Sequence, residues 1–162
     1  MRAILIAGAL TIGGETFRAA SGHGGMRADK REGDGATPLG VLPLRQVLYR
    51  PDRVEPPVSA APVKPLRPTD GWCDDPAHPE YNMPVRLPLD GSAELLWRDD
   101  AVYDVIGVLG WNDRPVRPGL GSAIFLHIAR ADFAPTDGCV ALARDDLLRV
   151  LMVGLTEIIV NG

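Results

Sequence analysis

Cys139 is the residue whose type and setting most suggest covalent chemistry. It closes the run Pro135-Thr136-Asp137-Gly138-Cys139, a few residues ahead of a helix-like segment. Amide groups near a helix N-terminus lower a thiol pKa, and the preceding Gly138 lets the backbone turn sharply and aim an N–H at an oxyanion. A nucleophilic cysteine also needs a base. His127 lies twelve residues earlier, on the apolar stretch Ser122 to Ala129 that reads as a strand. A strand end and a returning loop can bring the two side chains within ~3–4 Å. The plain alternative is a buried cysteine that only fills space.

The elements that must hold these residues are short and β-rich. Ala3 to Leu10 reads as a first strand, with Gly13-Gly14 as a turn and Glu15 to Ala20 as the next strand. The same opening, one arginine ahead of eight apolar residues, has the outline of a minimal signal peptide; the strand is preferred, because processing would remove the opening hairpin of a small domain. Val41 to Tyr49, Val102 to Leu109 and Thr156 to Val160 are further strands. Ala143 to Val153 is a helix, with Asp145 and Asp146 in its first turn and Leu147, Leu148, Leu151 and Met152 on one face. A short helix is expected around Ala93 to Arg98. Residues 1–40 hold nine of the 18 glycines, and residues 51–88 hold ten of the 15 prolines. That proline density excludes long helices and central strands there and predicts an inserted excursion over the surface. The expected architecture is mostly β, a single domain over residues 1–162 with one packed helix.

Composition excludes several classes of function. Seventeen Lys plus Arg against 21 Asp plus Glu give −4, mixed in sign, so there is no basic field for nucleic acid. The longest apolar run is far below the ~20 residues of a membrane span. Two cysteines make neither a disulfide scaffold nor a four-thiolate zinc site, and Cys73 with His78 falls short of a ligand set. The glycines form no dinucleotide or phosphate loop. No metal or cofactor is implied. Oligomeric state is not legible.

The run from His127 through Arg130 to Pro135-Thr136-Asp137-Gly138-Cys139-Val140 resembles the catalytic segment of the L,D-transpeptidase (YkuD-type) family. That family carries a histidine, a loop, and then Ser/Thr-His-Gly-Cys. Gly33-Asp34-Gly35-Ala36-Thr37-Pro38-Leu39-Gly40 resembles its Thr-Pro-x-Gly stretch, in the right order upstream. The resemblance implies a β-sandwich with a packed helix after the cysteine. It makes Cys139 the nucleophile, His127 the general base, Thr136 a hydroxyl supporting the loop, and Gly138 and Cys139 the oxyanion-hole amides. It also implies peptidoglycan stem peptides as substrate, a thioester formed at the diaminopimelate carbonyl with release of D-alanine, and a periplasmic location. The compact proteobacterial members that this chain resembles are associated with links from the position-1 L-alanine amine to diaminopimelate at position 3; a 3–3 link through the diaminopimelate amine, hydrolysis of the same thioester as an L,D-carboxypeptidase, and a non-catalytic cell-wall binding module are the alternatives.

Three features depart from the family pattern. Asp137 stands where a second histidine is usual, Ala141 where an arginine is common, and the loop between His127 and Cys139 is short. Asp137 near His127 would raise the imidazole pKa and oppose a thiolate. Replacement substrate contacts are sought in the charged run 27–34, where Arg27, Lys30 and Arg31 could grip carboxylates or pair internally with Glu32 and Asp34. Asp74 and Tyr81, inside the proline-rich excursion, are candidates for a lid, with Asp74 meeting a substrate ammonium. His23 is a loop histidine able to approach the site. Tyr103 reads as a core or turn residue.

Overall fold

The computed structural model describes residues 1–162. The chain opens as a meander of β1 (Arg2–Ile6), β2 (Ala9–Ile12) and β3 (Glu15–Ala20). The long first strand expected from sequence is thus two strands. Ala7 and Gly8 take φ of 39° and 82° and turn the chain between them, a conformation glycine adopts freely. Next come the short pair β4 (Met26–Arg27) and β5 (Thr37–Pro38) and the long β6 (Gly40–Tyr49). The excursion carries β7 (Val63–Pro65), β8 (Asp70–Cys73), β9 (Pro84–Arg86) and β10 (Ala93–Leu95). The chain then returns through β11 (Val105–Leu109), β12 (Phe125–Ile128), β13 (Val140–Leu142), α1 (Arg144–Met152) and β14 (Glu157–Val160).

Two strands join the layers of the sandwich. β6 pairs with β14 through Gly40–Pro43 and with β11 through Leu44–Tyr49. β3 pairs with β2 through Glu15–Arg18 and with β13 through Ala19–Ala20. The strand order β11-β12-β13-β3-β2-β1-β14-β6 therefore closes on itself through the β11–β6 pairing. Between the layers lies the main core, built from Leu5, Leu10, Leu42, Leu126, Leu142 and Ile158, with Leu147, Val150 and Leu151 of α1 packed into it. Strand is 37% of the chain and the only helix is short, so the fold is mostly β.

The segment Ala93–Leu95 is a strand, not a helix. It pairs antiparallel with Gly71–Cys73, and that tertiary pairing overrides a helix propensity that is weak over three residues. With β8 and β9 it makes a separate three-stranded sheet. A second apolar cluster seats this sheet and its flanking loops on the outer face of β11 and β12, joining Leu66, Trp72, Leu96 and Tyr103 to Ile106, Val108, Phe125 and Cys139. Two strands of the proline-rich stretch, β8 and β9, thus join β10 in a sheet that covers one face of the sandwich.

Candidate active site

Period-two alternation along β12 sets the site. Leu126 and Ile128 point into the main core, so Phe125 and His127 point outward. β13 runs parallel beside it with His127 opposite Ala141 and Leu126 opposite Val140. Cys139, one residue before β13, thus shares the outer face with Phe125, His127 and Ala141. Cys139, His127 and Ala141 line a cleft of about 500 Å³.

The loop that presents Cys139 is tied from both sides. Thr136 Oγ1 accepts from the Gly138 amide at 3.1 Å and donates to the Cys139 carbonyl at 2.6 Å. Buried Thr37, of the Thr-Pro-x-Gly stretch, accepts from the Gly22 amide and donates to the Gly138 carbonyl, both at 2.9 Å. Gly138 has φ of 133°, and a Cβ there would lie 2.7 Å from the Ala36 carbonyl oxygen. The close crossing of the 36–37 backbone over the loop accounts for the glycine. The Gly138 amide, which the family resemblance offers as an oxyanion donor, is hydrogen-bonded to Thr136 in this structure. The Cys139 amide makes no backbone hydrogen bond.

The Cys139 and His127 side chains both rest uncharged. Cys139 is 9% exposed and His127 7%. The thiol donates to the Ala123 carbonyl at 3.3 Å and accepts from the Phe125 amide at 3.4 Å, instead of bonding His127 directly. Burial, then the charges of Glu94 and Asp137, push its pKa up to about 12, although the Phe125 amide acts the other way. His127 Nδ1 lies 3.0 Å from the Ile128 carbonyl, which can only accept, so Nδ1 carries the proton and Nε2 is left as the base. Burial lowers the imidazole pKa to about 4, with Arg98 and Arg130 adding to it against the Ile128 carbonyl. Asp137 does not raise it as sequence suggested, because its carboxylate faces His23, whose Nε2 is 3.3 Å away.

The expected substrate contacts divide. His23, Asp74 and Asp137 line the cleft. The His23 amide donates to the Thr136 carbonyl, which fixes the rim, and Asp74 accepts from Ser92 at 2.6 Å. Arg27, Lys30, Arg31 and Tyr81 lie outside it. Arg27 forks onto Asp29 at 3.0 Å. Lys30 is buried and holds Asp34 and the Arg31 carbonyl, while Arg31 reaches the Lys30 carbonyl. Burial opposes ionisation of Asp34, yet Lys30 and the Ala36 and Arg31 amides bring its pKa to about 2. The charged run folds its own loop in place of gripping a ligand. Tyr81 is buried behind the wall and donates to Glu32 at 2.7 Å.

Sequence reasoning missed Glu32, Glu94, Arg98, Tyr103, Ser122 and Arg130, all of which line the cleft. Arg130 was in view between His127 and Cys139. Glu94, taken for part of a helix, gave no local signal, since its place depends on β8–β10 pairing.

A family model for the YkuD, L,D-transpeptidase catalytic domain matches residues 9–159. No curated protein and no solved structure matches the chain. The matched span takes in β2 through β14 and both motif stretches. The chain belongs to the YkuD family of L,D-transpeptidase catalytic domains, cysteine-dependent enzymes that act on the peptides of peptidoglycan.

Proposed function

We propose that the protein is a periplasmic peptidoglycan L,D-transpeptidase with Cys139 as nucleophile and His127 as proton carrier. The observation that carries this reading is the shared outer face of β12 and β13. It sets an imidazole with a free Nε2 and a thiol on the same cleft wall. As the thiol leaves the Ala123 carbonyl, its proton passes to His127 Nε2 and sulfur attacks the carbonyl of diaminopimelate at position 3 of a tetrapeptide stem. The Cys139 amide faces the resulting oxyanion. Collapse breaks the C–N bond to D-alanine, which takes the proton from His127 and departs, leaving a thioester. An incoming amine then gives its proton to His127, forms the new amide, and returns the sulfur to its thiol.

The cation Arg130 lines the same cleft as Ala141, the position where the family commonly has arginine, and is our candidate for a stem-peptide carboxylate. Asp137 and Ala141 alter the wall on which an acceptor would rest, and we take the position-1 L-alanine amine as that acceptor, giving a 1–3 link.

Incubation with disaccharide-tetrapeptide, followed by mass spectrometry of the products, tests the reading. The expected result is a crosslinked dimer with D-alanine released, both absent with Cys139→Ala. Fragmentation then assigns the acceptor. A diaminopimelate acceptor would replace 1–3 with 3–3 linkage, and tripeptide monomer alone would make the protein an L,D-carboxypeptidase.

A further inference from the structure

Glu94 projects from β10 into the cleft. Its hydrogen bond comes from the Tyr103 hydroxyl, donated to Oε1. Tyr103 is itself fixed: its ring meets His127 edge-on at 5.4 Å and Phe125 at 5.8 Å. The cation Arg98, whose charge reaches Glu94, forks onto Asp100 at 2.6 and 2.8 Å and forms no ion pair with Glu94. The other acids of the cleft are engaged elsewhere. Glu32 accepts from Tyr81 and Ser122, Asp74 from Ser92, and Asp137 faces His23. Glu94 is therefore a carboxylate clamped by a tyrosine next to the reacting pair, with no ion-pair partner in the protein.

That arrangement is unfavourable without a ligand. A half-buried carboxylate without an ion-pair partner is costly; burial, then the charge of Asp74, raises the Glu94 pKa against the Tyr103 bond and the Arg98 charge. Its charge also opposes the Cys139 thiolate. A single positive charge placed against it would relieve both costs at once. Stem peptides carry such charges as primary ammonium groups.

We propose that Glu94 is the specificity-determining residue of the cleft, receiving a primary ammonium of the stem peptide beside Cys139 while Tyr103 holds the carboxylate in place. This rests on the transpeptidase reading for its ligand. The ammonium has two sources, the side-chain amine of the donor's diaminopimelate and the L-alanine amine of the acceptor. Binding it removes the charge that opposes the thiolate, so the nucleophile becomes easiest to form when a cationic peptide is seated.

Calorimetric binding of the tripeptide L-Ala-γ-D-Glu-diaminopimelate, which cannot turn over by loss of D-alanine, tests the proposal. Two further ligands are the same peptide acetylated at the side-chain amine and at the L-alanine amine. Wild type should lose about tenfold in affinity on blocking one of the amines. Glu94→Gln should bind the unblocked peptide about tenfold more weakly and ignore that acetylation, while Tyr103→Phe, which keeps the charge, should still discriminate. Loss with the side-chain acetyl assigns the donor and loss with the L-alanine acetyl the acceptor. Glu94→Gln should also let iodoacetamide alkylate Cys139 faster at unchanged thermal stability, which separates a lost charge from an opened wall. Undiminished discrimination by Glu94→Gln overturns the proposal. Should that variant not fold, equal wild-type affinity for all three peptides overturns it. Amine-dependent binding without D-alanine release from tetrapeptide would keep the proposal and sink the transpeptidase reading; turnover with amine-independent binding would do the reverse.

Discussion

Cys139 and His127 rest as a thiol and a neutral imidazole, not as a preformed ion pair. Burial separates their pKa values in the direction that disfavours charge on both, to about 12 and about 4. In the proposed reaction the thiolate must then arise by proton transfer during attack. The imidazole shift has a consequence for stability. The folded pKa of about 4 lies below the ordinary 6.5, so between those values the unfolded chain binds the proton first. Stability is full above the unfolded value and is lost as pH falls toward 4, by about 3 kcal/mol over the whole window. Urea unfolding at pH 7.5 and 5.0 should show wild type losing about 2 kcal/mol more than His127→Gln. Equal losses would mean that the histidine titrates normally. At this scale the sequence is informative wherever motif order speaks: it singles out His127, Thr136 and Cys139, which the structure brings to one cleft, and Gly138, where the Ala36 backbone crosses the loop. It is silent on Glu94, Tyr103 and Arg98, whose roles come from facing, not spacing. It leaves Arg27, Lys30 and Arg31 between gripping a carboxylate and pairing internally; in the structure Lys30 pairs with Asp34 and Arg27 with Asp29, because a dense charged run satisfies its own loop first.

Elements turn those residues into a site. The parallel pairing of β12 and β13 gives the common face, and the loop between them must cross from one strand to the next while staying open to the cleft. Thr37 holds that crossing by joining the Gly22 amide to the Gly138 carbonyl. Thr37→Val keeps the shape and removes the hydroxyl, leaving two buried backbone groups without partners. It should cost about 3 kcal/mol in chemical denaturation and lower turnover by more than substrate affinity. A variant of wild-type stability and rate would show that the bridge is dispensable. Strands and helix were legible where periodicity was strong, as in β6, α1 and β14. The split at Ala7-Gly8 was not, since Ala-Gly in an apolar run carries little turn signal beside Gly13-Gly14. The strand at Ala93–Leu95 was hidden because its partner lies twenty residues away in an irregular stretch.

Over the whole molecule, the sandwich core and the cleft occupy opposite faces of the same sheet. The inner face packs Leu126, Leu142 and the α1 leucines; the outer face carries Cys139 and His127 beneath the β8–β10 cover. Asn82 ties that cover down. Its Oδ1 accepts from Trp72 Nε1 and the Ala123 amide, and its Nδ2 donates to the Trp111 and Asn112 carbonyls. Ala123 is also the residue whose carbonyl holds the Cys139 thiol, so the cover and the nucleophile share one backbone segment. Proline count revealed that an excursion existed; its role as a wall of the cleft depends on contacts between distant segments and could not be read locally. No helix is long and apolar enough to cross a membrane. The proposed transpeptidase must pass through a thioester on Cys139. Intact-protein mass spectrometry seconds after mixing with disaccharide-tetrapeptide measures it directly. The expected result is an adduct equal to the donor less D-alanine, mapped to Cys139 and absent in Cys139→Ala. An adduct that survives in Cys139→Ala, or an unmodified Cys139 while D-alanine is released, would contradict it.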